Sequence, residues 1–104
     1  MVVLLLTKIK KLADEIMDEL DSAKEYAEKY VEHKANNDTQ WAARFNEMAK
    51  DELKHAEYLH ELVVNMIQKL STVYTPPQEM QEKWDADHKK YVEKAAWIKQ
   101  MLSL

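Results

Sequence analysis

The chain has no glycine and no cysteine, and only two of its 104 residues are proline. Each absence excludes something. Without glycine, turns that need a left-handed backbone are hard to build, which argues against a hairpin-rich β fold. Without cysteine there are no disulfides, no thiolate metal sites and no cysteine nucleophile. No basic tract stands out and the net charge is −4, so nucleic acid is an improbable partner. Long apolar runs are absent too. "MVVLLL" at the N-terminus is followed at once by "TKIKK", too short to span a bilayer and without the form of a signal peptide. The expectation is therefore a cytoplasmic protein with no membrane partner.

What the chain does contain favours helix. Ala, Leu, Lys, Glu and Met dominate, all good helix formers. With 46% apolar and 33% charged residues, there is material for a core and for a solvated outer face. The length is that of a single helical domain, residues 1–104.

Apolar periodicity predicts three helices, at about 3–35, 40–73 and 78–102. The first stripe runs through Leu5, Ile9, Leu12, Ile16, Ala23, Tyr26 and Tyr30. "NNDT" at 36–39 breaks it, and Asp38 or Thr39 is placed to cap the next helix. The second stripe runs through Trp41, Phe45, Met48, Leu59, Leu62, Met66 and Val73. "TPP" at 75–77 stops it, because proline neither continues a helix nor tolerates one just before it. The third stripe is Met80, Trp84, His88, Tyr91, Ala95, Ile98 and Leu102. Two long helices joined by a short turn make an antiparallel hairpin. The shorter third helix covers only part of its apolar face, so self-association through the remainder is expected.

Both long stripes are interrupted by polar residues in the inward phase. Glu19 fills the gap in the first, and Glu52 and His55 fill the gap in the second. Residues three apart share a helix face, so Glu52 and His55 converge. Glu19 lies 18–19 residues before the Asn37–Asp38 turn, and Glu52 and His55 lie 14 to 17 after it. The three therefore come to about the same height, inside a bundle. Carboxylate oxygen with imidazole nitrogen suits Fe, Mn or Zn rather than a thiophilic metal. The alternative reading is a buried, hydrogen-bonded Glu–His pair that sets helix register. His33 and His60 read as surface or flanking residues. Trp41, Trp84 and Trp97 read as core or interface anchors.

One glutamate from a first helix and Glu-x-x-His from the next is half of the carboxylate-bridged dimetal site of ferritin-like proteins. Residues 18–56 resemble the first helical hairpin of rubrerythrin-type proteins. Glu19 and Glu52 stand 33 positions apart (52 − 19), which fits that hairpin without a gap, and "AARFNEMAKDELKHA" is similar to its second helix. The likeness covers roughly 40 of 104 residues.

The resemblance implies a di-iron site that oxidises ferrous iron or reduces peroxide, with Glu19, Glu52 and His55 as ligands. Glu52 would bridge, and Glu19 and His55 would be terminal. Tyr26 and Tyr58 would tune or orient the carboxylates from outside the ligand set. Manganese or zinc are alternatives, and an external electron donor would serve in place of the Cys-rich module of full rubrerythrins.

The chain departs from that family by having one further helix where a complete bundle needs two. Asp85-x-x-His88 on the third helix is about 12 Å off the height of His55, and reads better as an interface histidine. Two copies of the chain would supply the missing ligands, as in encapsulated ferritins, which are similar in building the site from two short chains. The other function class open to this sequence is a non-enzymatic helical interaction protein with a structural Glu–His pair, or a structural zinc or calcium.

Overall fold

A computed structural model describes all 104 residues as three helices and no strands. Helix α1 is Val2–Ala35, α2 is Thr39–Leu70 and α3 is Gln78–Leu102. The hairpin turn between α1 and α2 is made by Asn36–Asp38. Asn37 takes a left-handed backbone, φ 60°, a conformation asparagine accepts more readily than most residues. Asp38 caps α2, its Oδ1 accepting from the Trp41 backbone N–H at 3.4 Å. Its Oδ2 lies 3.0 Å from His33 Nδ1, which ties the end of α1 to the start of α2.

Helix α2 ends at Leu70, three residues before the expected Val73 (73 − 70). Its last turn tightens: the Thr72 and Val73 N–H groups reach carbonyls three residues back, at Lys69 and Leu70. The chain then unwinds ahead of Pro76 and Pro77. Pro77 starts α3, its carbonyl accepting from Gln81 N–H at 3.1 Å. No helix is long and apolar enough to cross a membrane.

The hairpin seam is a heptad pattern. Ile9, Ile16, Ala23 and Tyr30 are buried at seven-residue steps on α1, with Leu20 and Ala27 between them. Ala42, Ala49 and Ala56 do the same on α2, with Leu53 beside them and Leu70 two steps beyond Ala56, past the half-buried Val63. A seven-residue repeat keeps one seam facing its partner along two long helices. Alanines at its centre let the backbones approach closely. Helix α3 lies along one flank of this seam and inserts Ala95, Ile98 and Met101 into the same core. Asn46 Nδ2 donates to the Leu102 carbonyl at 3.3 Å, Lys99 pairs with Glu57 at 3.3 Å, and Lys94 pairs with Asp21.

The core sits one position away from the stripe that periodicity named on α2. Ala42, Ala49, Leu53 and Ala56 are buried, whereas Trp41 and Leu62 are 48% and 45% exposed and Met48 is exposed as well. The larger apolar residues line the groove beside the seam, on the flank opposite α3. On a single chain that groove is open. Of the tryptophans expected as core or interface anchors, Trp41 and Trp97 are about half exposed and so outside the core of one chain, and only Trp84 is partly enclosed. Only 14 residues are buried in all, none of them polar, so a large share of the apolar stripe has no cover within one chain.

Candidate metal centre

Glu19 on α1 and Glu52 and His55 on α2 come together on the open flank. One ligand atom from each lies within 4.8 Å of the others. His55 Nδ1 is 3.6 Å from Glu19 Oε2 and 3.8 Å from Glu52 Oε2. The local cause is simple. One helical turn sets Glu52 beside His55, and the Asn37 turn fixes the height at which α1 brings Glu19 across.

Depth is where expectation and structure part. The three were expected inside a bundle. Their side chains are instead 30%, 26% and 55% exposed, in the order Glu19, Glu52, His55. They form the floor and rim of a groove, because no fourth helix closes it.

The contacts within the cluster are also not those of a settled hydrogen-bonded pair. Both His55 distances exceed an ordinary N–H···O hydrogen bond. Glu19 Oε2 is buried and has no hydrogen-bond partner, and such an atom normally costs free energy. Glu52 is pushed up from the usual carboxylate range, first by hydrogen bonding with the Glu19 carboxyl and then by desolvation. These are groups short of positive charge. A cation fits the donor set: two carboxylates and an imidazole, one oxygen already desolvated and unpaired, with room on the open side for further ligands.

Tyr26 is half-buried and stacks on Phe45, with ring centroids 6.3 Å apart. Tyr58 is exposed. Neither hydroxyl is hydrogen-bonded to the three candidate ligands. Asp85 lies elsewhere, accepting from Gln81 Nε2 at 3.0 Å.

His88 meets His60 rather than the triad, Nε2 of His60 lying 3.2 Å from Nδ1 of His88. His88 is thus hydrogen-bonded, as expected, and the bond runs from α3 to α2. The reading of His60 as a surface or flanking residue misses this pairing. Counting residues back from "TPP" would have found it, since His60 and His88 stand at nearly equal heights on either side of that turn. His60 is half-buried against Tyr91, which stacks on it with centroids 4.2 Å apart and planes 1° from parallel. Burial and then the neighbouring His88 lower the His60 pKa.

Comparison with protein-family models, with curated proteins and with solved structures returned no match. The fold and the side-chain geometry of this chain therefore carry the functional reading.

Proposed function

We propose that the chain is a ferritin-like dimetal-carboxylate protein, with iron held by Glu19, Glu52 and His55 and the site completed by the same three residues of a second copy. The observation that carries this reading is the convergence of those side chains, with the buried and unpartnered Glu19 Oε2 among them. The open groove supports the second copy. Trp41, Met48 and Leu62 are exposed along it on α2, and a ligand set of three needs more donors than one chain brings. Two copies provide four carboxylates and two imidazoles, the complement of a full dimetal site.

When bound, iron would supply the redox chemistry, ferrous oxidation coupled to reduction of dioxygen or peroxide. The protein's own part is to position donors and manage charge. The neighbouring Glu19 and desolvation raise the Glu52 pKa. Cation binding favours ionised carboxylates and so works against the raised Glu52 pKa, which makes uptake weaker as pH falls. His55 offers an imidazole nitrogen from the exposed side of the groove. The apolar residues around the triad, once covered by a second copy, would keep bulk water from the carboxylates.

The test is metal content per chain after anaerobic loading with ferrous iron and desalting, beside Glu52→Ala. About one iron per chain in the wild type and none in the variant is expected of a two-iron site shared by two chains. If the wild type retains no metal, or Glu52→Ala retains as much, this reading fails. A helical interaction protein with a structural acid–histidine cluster then takes its place.

A further inference from the structure

We propose that His60 and His88 form a second cation site, separate from the triad, which clips α2 to α3 through a borderline divalent ion of the zinc, nickel and copper type.

Three observations carry this. The first is distance. His60 Nε2 and His88 Nδ1 are 3.2 Å apart. Two nitrogens on a tetrahedral ion with bonds of about 2.0–2.1 Å lie roughly 3.3–3.4 Å from each other. The gap is close to the bite of one ion; ligation requires the facing proton to move to the far nitrogen of its ring and the rings to tilt until both lone pairs converge.

The second is preorganisation. The His60 ring is fixed by its parallel stack on Tyr91, 4.2 Å between centroids. Its burial also holds it neutral, the form that ligates. Beside the pair a cavity of about 170 Å³ runs between the three helices. It leaves space for water on the ion's remaining positions.

The third is the donor type. Of the acids around the pair, Glu57 is engaged with Lys99, Asp85 with Gln81 and Asp87 with Lys83, while Asp14 lines the same cavity. A donor set led by two imidazoles prefers Zn²⁺, Ni²⁺ or Cu²⁺ over Mg²⁺ or Ca²⁺, and binds Fe²⁺ more weakly than any of the first three. The carboxylate-rich triad accepts harder ions than the histidine pair does, but follows the same order among the divalent transition metals. The functional consequence is mechanical, because α2 and α3 share few close backbone approaches and the histidine pair is among their few polar ties.

The experiment uses the full chain with its triad disabled, Glu52→Ala with His55→Ala, and Zn²⁺ alone as the probe. Calorimetric titration is expected to show one zinc per chain, and zinc is expected to raise the melting temperature, as any ligand of the folded state does. Adding His88→Gln is expected to weaken binding roughly tenfold or more, since losing even an outer partner of a metal ligand costs about that. It should also remove the thermal shift, and Mg²⁺ should produce neither effect. The proposal is overturned if the triad-disabled chain takes up no zinc, or if His88→Gln leaves its affinity unchanged. Should that chain not fold, zinc titration of the wild type followed by the His60 and His88 ring resonances decides the matter. Both must shift together, and His60→Gln must abolish the response of His88. Because the triad is absent from the first assay, its outcome is independent of the iron site.

Discussion

The two flanks of the α1–α2 seam are built by the same helices and filled differently. On the α3 flank, polar groups meet partners: Asn46 with the Leu102 carbonyl, Glu57 with Lys99, Asp21 with Lys94, His60 with His88. Apolar groups there meet Ala95, Ile98 and Met101. On the other flank Trp41, Met48 and Leu62 face outward, and Glu19 Oε2 is buried with nothing to accept from. A third helix is the only difference between them. It shows what this seam requires to be satisfied, and by contrast what the open groove lacks.

The largest effect expected lies where both flanks share a residue. Leu20 is fully buried at the seam centre, and Leu20→Ala should cost about 2–5 kcal/mol of stability, read by chemical denaturation. A cost below 1 kcal/mol would mean that the seam is not the core. The next effect separates the flanks. Leu62→Lys places a charge in the open groove. It should leave helix content unchanged while weakening self-association roughly thirtyfold, about 2 kcal/mol at the centre of an interface. Sedimentation at several concentrations measures it. If wild type and variant both sediment as single chains, the open flank is not a chain–chain surface. At the hairpin end, Asp38→Ala removes the α2 cap and the contact with His33. It should cost about 1 kcal/mol, visible as a lower denaturation midpoint with an unchanged slope.

The helices and turns could be read directly from the sequence, because "NNDT" and "TPP" are the places where backbone chemistry interrupts otherwise uniform helix formers. The convergence of Glu19, Glu52 and His55 was also readable. It depends on two counts, a step of three along α2 and equal heights about Asn37, and neither needs tertiary detail. Depth was not readable. Periodicity marks an apolar sector on a helix but does not say which edge of it becomes the seam. Ala42, Ala49 and Ala56 weigh little beside Trp41 and Met48 in any reading of hydrophobicity. Yet small residues are what two long helices need for close approach, so the alanines took the seam and the large residues the groove. The exposure of His55 follows from that one-position shift and from the missing cover.

A pH titration sharpens the comparison further. The fold lowers the His60 pKa through burial and through His88. A base with a depressed folded value contributes stability that is present above its unfolded pKa and lost as pH falls through the folded one. From about pH 7 downward through the histidine range, the α3 flank should weaken first, with Trp84 fluorescence reporting the change. His60→Gln should flatten that response. A flat wild-type profile over the same range would show that the histidine pair does not couple α3 to the hairpin.

The smallest effect concerns the ion pair between Glu57 and Lys99, 3.3 Å apart and about half exposed on both sides. Exposed pairs of this kind contribute roughly 0–1 kcal/mol, because water screens them and both side chains lose freedom in forming them. Lys99→Ala should therefore move the denaturation midpoint hardly at all, by about 0.5 kcal/mol or less, and less still in high salt. The value of so small a number is what it assigns by difference. If α3 stays docked without Lys99, then Ala95, Ile98 and Met101 hold it. The satisfied flank is then satisfied by apolar burial, with its ion pairs only choosing register. The open flank presents the same kind of apolar surface, so a partner for it would likewise be held by burial. A loss well above 1 kcal/mol would instead make charge the main tether of α3, and an apolar partner for the other groove would no longer follow from the comparison.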